Sequence, residues 1–189
     1  MPAPLILASA SPRRAELLTS AGYEFSVEIA DVDESVLPGE SPDHYVSRVA
    51  RQKALQVAER CRKSGGVVVA ADTTVVAGGE ILGKPENDSD AVRMLQMLGG
   101  AVHDVFTGVI AIRGNAERAE VVRTRVHLLP MTLDEIQWYV GTGEPKGKAG
   151  GYAIQGRAAR FVDWIDGSWS NVVGLPVATV ARMIRELCA

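Results

Sequence analysis

Leu7-Ala8-Ser9-Ala10-Ser11-Pro12-Arg13-Arg14 sets two hydroxyls and two guanidinium groups just ahead of a helix-like segment, Ala15-Glu16-Leu17-Leu18. Ser11 reads as an N-cap and Pro12 as the first helical residue. A helix start leaves backbone N–H groups unpaired and is the positive end of the helix dipole. Hydroxyls, arginines and unpaired N–H groups together suit a phosphate. An ordinary cap with two solvated arginines is the other reading of the same residues.

Further along lie Asp31-Val32-Asp33-Glu34, Lys53, Asp72, Lys84, and a loop from Gly141 to Gly151 with five glycines, Lys146 and Lys148. Carboxylates and lysines without His/Cys ligand spacing point to a hard, oxygen-loving cation such as Mg²⁺. Such a cation, with lysines and a helix start, suits a polyphosphate. In that setting a carboxylate either binds the metal or orients an attacking water. Neither a Walker A motif nor a Rossmann GxGxxG after a strand occurs. His44, His103 and His127 have no mutual ligand spacing and read as structural or surface residues.

The elements that must carry these residues follow from periodicity. Ser41-Pro42-Asp43 starts a helix predicted to run to Arg62. Val46, Val49, Ala50, Ala54, Val57 and Ala58 form its inner stripe, and Lys53 lies on that stripe. A lysine there must snorkel outward or meet an anion. Val67 to Ala71 reads as a buried strand, interrupted by Asp72 before the apolar pattern resumes. Asp72 therefore either starts a turn or needs a partner.

Gly78-Gly79 turns a hairpin back to Ile81-Leu82. Asp88 or Ser89 is the expected cap of the next helix, and Gly99-Gly100 its end. Val102–Ile112 and Glu120–Leu129 form the arms of a longer hairpin around Gly114-Asn115. Thr132-Leu133-Asp134-Glu135 is a capping box. Strands and helices mix while hairpins interrupt any βαβ alternation, so the fold class is α/β with a mixed sheet.

The chain's 189 residues fit one domain spanning 1–189. With 47% apolar and 23% charged residues, it has the composition of a globular protein with a substantial core. The net charge of −3 argues against a general nucleic-acid binder. Cys61 and Cys188 are the only cysteines, which fits a reducing cytoplasm and neither a zinc site nor a disulfide framework. No signal peptide is apparent, and no apolar run is long enough to span a membrane. Trp138, Trp164 and Trp169 read as core or contact residues, core being the commoner fate.

In order along the chain, Leu7-Ala8-Ser9 through Arg14, Arg51-Gln52-Lys53-Ala54, Ala71-Asp72-Thr73, Gly83-Lys84-Pro85, Thr107-Gly108-Val109, Lys148-Ala149-Gly150, Tyr152 to Gly156 and Gly174-Leu175-Pro176 resemble the Maf family of nucleoside triphosphate pyrophosphatases. The likeness runs nearly end to end, and several separated motifs are far more specific than any one. It implies a fold like that of the inosine triphosphate pyrophosphatases, with two lobes around a central cleft. It also implies metal-dependent hydrolysis (Mg²⁺ or Mn²⁺) of a nucleoside triphosphate to the monophosphate and pyrophosphate.

On that resemblance Asp72 accepts the proton of the attacking water or binds the metal, and Glu34 is the other acidic metal partner. Lys53 and Lys84, with Ser9 and Arg14, face the phosphates. Arg13, Thr73 and Gln155 match positions associated with substrate choice. Ser11-Pro12-Arg13-Arg14 and Tyr152-Ala153-Ile154-Gln155-Gly156 are similar to the branch acting on dTTP and UTP. The Gln155 amide offers the donor and acceptor that reading a pyrimidine edge requires. A second branch prefers 7-methyl-GTP, and some relatives are linked to septum formation. The same resemblance is compatible with a homodimer. Gly147 departs from the pattern, since many relatives carry an acidic residue there.

Overall fold

The computed structural model describes residues 3–189. In chain order the elements are β1 (Leu5–Leu7), α1 (Pro12–Ser20), β2 (Ser26–Val27), α2 (Pro42–Arg60), β3 (Val67–Ala77), β4 (Glu80–Leu82), α3 (Asp88–Leu98), β5 (Val102–Arg113), β6 (Ala116–Leu128), α4 (Leu133–Gly141), β7 (Val162–Asp166), α5 (Trp169–Val173) and α6 (Val177–Cys188). The sheet order is β2-β1-β3-β5-β6-β7, with β4 against β3. β1 is parallel to β2 and β3, whereas β3/β4 and β6/β7 are antiparallel, so the sheet is mixed.

The chain forms two compact units. The first comprises the stretch ending at Asp72, Thr107–Val122 and Gly174–Ala189. Its strands read as continuous apolar runs because both faces are covered. Leu5, Leu7, Val67, Val69, Ala71, Val109 and Ala111 pack with Leu18 of α1 and Val180, Met183 and Leu187 of α6. The alternate residues Ile6, Ala8, Val68, Ala70, Ile110 and Ile112 pack against Ala50, Ala54 and Val57 of α2. The α2 stripe is the one its periodicity predicts, with Lys53 buried among its apolar members. The helix ends at Arg60, two residues before the predicted end, where the Cys61 N–H bonds the Val57 carbonyl and a short 3₁₀ turn follows.

The second unit comprises Thr73–Phe106 and Arg123–Val173. Here α3 packs against α4 and the Ala149–Gly151 turn. Asn87, rather than Asp88 or Ser89, caps α3, with its Oδ1 accepting from the Asp90 N–H at 2.9 Å. Thr132 and Glu135 form the expected capping box. Two elements go beyond the sequence reading. β7 is largely exposed and carries Asp163 and Asp166, so it lacks an apolar alternation, and α5 is only five residues long. Trp138, Trp164 and Trp169 are exposed instead of in the core. Two of these rings find polar company: Arg160 sits over Trp138, and His127 stacks on Trp164. Among the described residues no helix is long and apolar enough to cross a membrane.

Two local features of this fold give measurable expectations. A Cβ on Gly108 would lie 2.4 Å from the Val46 carbonyl oxygen of α2, so helix and strand approach too closely for any side chain. Gly108→Ala is expected to lower stability by about 3 kcal/mol in urea unfolding, because a backbone element must move to admit one methyl. His103 is buried, with Nε2 2.8 Å from the Tyr152 hydroxyl. Burial pushes its pKa down to about 4. The unfolded chain then binds a proton that the native state refuses, so stability should fall as pH drops from about 6.5 to about 4. The full effect is about 3 kcal/mol, and His103→Gln should flatten that part of the stability-versus-pH curve.

Candidate active site

The face of β3 that packs on α2 carries Val68, then Ala70. Two residues further, the same alternation brings Asp72 to that face. The strand passes straight through Asp72 to Ala77, so Asp72 starts no turn. Its partner is Lys53, from the same helical stripe as Ala50 and Ala54. The Lys53 ammonium donates to Asp72 Oδ1 at 2.8 Å and lies 2.7 Å from Glu34 Oε1. Lys53 and Asp72 are only 7% and 5% exposed, so the ammonium meets anions rather than snorkelling. Paired in this way, two charges that would be costly alone are mutually neutralised and fixed in direction.

Glu34 comes from an irregular segment between β2 and α2, and α2 fastens that segment at several points. Gln56 exchanges two hydrogen bonds with the Asp31 backbone, both 2.8 Å, and Arg60 donates to the Ile29 carbonyl at 2.7 Å. Arg48 donates to the Ser35 carbonyl and grips Glu40 through two nitrogens. That grip lowers the Glu40 pKa to about 2. The Tyr45 hydroxyl donates to the Glu34 carbonyl at 3.0 Å. Burial first, and then the nearby Asp72 and Glu34 charges, raise the Tyr45 phenol to about 12, so it remains a donor. None of these anchoring residues was singled out by sequence, because their roles depend on backbone carbonyls that composition does not reveal.

At the start of α1 the two arginines diverge. Arg14 is buried and donates through Nε to the Gly174 carbonyl at 2.8 Å. Its Nη1 donates to the Ala71 carbonyl at 2.7 Å and to Ser9 Oγ at 3.1 Å. Arg14 thus grips the residue before Asp72. Ser9 Oγ also accepts from the Ser11 N–H, and the Ser11 side chain makes no cap bond. Arg13 is half-buried and makes no hydrogen bond or ion pair among the described residues. Desolvation lowers its pKa, against a smaller opposing pull from Glu16. Pro12 supplies no N–H, and the first helical N–H groups bonded are those of Arg14 and Ala15. A half-buried guanidinium beside this helix start is suited to an anion.

Thr73, Lys84 and Gln155 belong to the second unit. Thr73 is half-buried, whereas Lys84 and Gln155 are exposed. The Gly83 carbonyl beside Lys84 accepts from the Gly150 N–H at 3.0 Å, which ties the Lys84 turn to the glycine-rich loop. Gly150 has φ +67°, and a Cβ there would lie 2.9 Å from Val75, so only glycine suits the position. Lys148 bends back to the Glu144 carbonyl at 2.5 Å. Gly147, at φ +71°, takes a backbone conformation that glycine adopts without strain.

A divalent cation has a consistent donor set here. Asp72 Oδ2 accepts no hydrogen bond among the described residues, and Glu34 contributes a second carboxylate on the same ammonium. No group of three or more His, Cys, Asp or Glu able to hold a metal occurs among the described residues. Two carboxylates, with substrate oxygens and water completing the shell, match how Mg²⁺ is usually held.

Comparison with known proteins fixes the family. Residues 4–187 match the model for the family described as Maf-like protein. The chain belongs to the Maf family. It is 54% identical over 187 residues to a dTTP/UTP pyrophosphatase of Anaeromyxobacter dehalogenans (strain 2CP-C), covering 96% of this chain and 93% of that protein. It is 51% identical over 188 residues to a dTTP/UTP pyrophosphatase of Geotalea uraniireducens (strain Rf4), covering 98% and 95%. A solved structure, a nucleoside-triphosphatase / dITP/XTP pyrophosphatase from Mycobacterium abscessus, aligns with 66% of this chain and 72% of its own, at 15% identity and a TM-score of 0.36.

The buried ion cluster gives a direct stability test. Lys53→Met leaves Asp72 buried without its cation and should cost about 3 kcal/mol in urea unfolding at neutral pH. Asp72→Asn should cost only about 1 kcal/mol, because Glu34 still meets the ammonium. Equal costs for the two variants would contradict the bridging role of Lys53.

Proposed function

We propose that this chain is a nucleoside triphosphate pyrophosphatase that hydrolyses dTTP and UTP to the monophosphate and pyrophosphate with a divalent metal. The observation that carries this reading is the Lys53 ammonium held between Asp72 and Glu34. Family membership and the names of relatives about half identical to this chain support it. The proposed roles follow from chemistry. Lys53 fixes Asp72 through Oδ1, leaving Oδ2 to orient a water and take its proton. Arg13 and the start of α1 hold outer phosphates, so the water meets the innermost phosphorus and pyrophosphate departs. Arg14 and Ser9 shape this end of the site. Lys84 joins as a phosphate cation, and Thr73 and Gln155 as selectors of the base, on the family resemblance alone. Glu34 would hold Mg²⁺ or Mn²⁺, with Asp72 as a second ligand only where it does not serve as the base, and the cation when bound would offset phosphate charge and polarise the reacting groups. The proposed setting is the cytoplasm, where two free cysteines are stable.

The test is a nucleotide panel that includes dTTP, UTP, 7-methyl-GTP and ATP, with product identification. Pyrophosphate and dTMP should form from dTTP, and Asp72→Asn should lower kcat by about 100-fold or more. Orthophosphate as first product would reject the chemistry, and preferential turnover of 7-methyl-GTP would reject the substrate class.

A further inference from the structure

A single carboxylate holds the turn that presents Gln155. Glu144 follows α4, and its side chain reaches across to residues 156–158. Its Oε2 accepts from the Arg157 N–H at 3.1 Å. Its Oε1 accepts from the Tyr139 hydroxyl at 2.8 Å and from the Ala158 N–H at 3.4 Å. The Tyr139 oxygen in turn accepts from the Ala153 N–H at 3.1 Å. Backbone on both sides of Gln155 is therefore referred to one phenol–carboxylate pair. The Gly156 N–H bonds the Ala153 carbonyl at 3.0 Å and closes the turn between them. A Cβ on Gly156 would lie 2.4 Å from Glu144 Oε1, so the glycine lets the backbone lie directly on the carboxylate.

Tyr152, Ala153 and Ile154 are buried, yet Gln155 is exposed, and its side chain makes no hydrogen bond among the described residues. The protein has spent its polar contacts on the backbone flanking Gln155 and left the amide for something else. Every group facing the Glu144 carboxylate is a donor. A carboxylate satisfies all three, whereas an amide of the same shape would turn its own N–H bonds toward at least one of them.

We propose that Glu144 is a positioning residue that fixes the 153–156 turn and thereby sets which nucleobase the Gln155 amide accepts. The proposal rests on the pyrophosphatase reading for the role of Gln155, while the clamp itself is observed geometry. Because Glu144 acts through Gln155, losing either should cost the same discrimination, and losing both should cost little more.

The experiment is a double-mutant cycle on wild type, Glu144→Gln, Gln155→Ala and the pair. It reads kcat/KM for dTTP against ATP, together with equilibrium binding of the non-hydrolysable α,β-imido analogues of both. Glu144→Gln is expected to lower the dTTP:ATP preference by roughly 10-fold, mainly through KM, with the double variant near the worse single. Tyr139→Phe keeps the ring, removes the hydroxyl and should move the preference the same way, which covers the case of a misfolded Glu144→Gln. Unchanged preference in folded Glu144→Gln or Tyr139→Phe, or losses that multiply in the double variant, would overturn the clamp. So would a wild type that does not discriminate between bases. Selective binding of the dTTP analogue with coupled losses but no pyrophosphate release would instead overturn the enzymatic reading and uphold the clamp.

Discussion

An ammonium group buried between two carboxylates orders the first unit of this protein. Burying Lys53 or Asp72 alone would be strongly unfavourable, and together they are tolerable only in a narrow geometry. Two periodicities supply that geometry. The strand's two-residue alternation brings Asp72 to the helix-facing side after Val68 and Ala70. The helix's three-and-four spacing puts Lys53 between Ala50 and Ala54 on the stripe that meets this side. Shifting either element by one residue would turn one charge away from the other.

The third member of the cluster is secured differently. Glu34 lies on irregular backbone, and α2 holds that backbone by its carbonyls through Tyr45, Arg48, Gln56 and Arg60. Elsewhere, cations serve the same purpose. Arg14 binds the Ala71 and Gly174 carbonyls, and Lys148 binds the Glu144 carbonyl. Several charges that would suit an anion are thus spent on backbone oxygens, and Arg13 is left as the half-buried guanidinium at the start of α1. A helix start rich in arginine is not uniformly a ligand site, and the division of labour depends on which guanidinium is buried.

Much of this was legible in the sequence. The α2 stripe, the apolar strand leading to Asp72, both hairpins and the Thr132 capping box follow from period and turn chemistry, because each is a local rule applied locally. A lysine on an apolar stripe and an aspartate in an apolar strand are violations of pattern, and the structure joins those two violations to each other. What escaped was decided by distant partners. β7 has no apolar alternation because it is mostly exposed, and α5 is too short to show a helical period. Trp138 and Trp164 are exposed with Arg160 and His127 against their rings, contacts that their spacing in the sequence does not reveal. Glu144 and Tyr45 looked ordinary because their partners are backbone groups far along the chain or on another element.

The central claim is that the Lys53–Asp72–Glu34 cluster directs water at the innermost phosphorus of a triphosphate. Hydrolysis of dTTP in ¹⁸O-labelled water tests it most directly. The account predicts that the label appears in the dTMP phosphate, with none in the released pyrophosphate. Label in the pyrophosphate would mean that water attacks the neighbouring phosphorus, and the placement of Asp72 as the group that orients the water would be wrong.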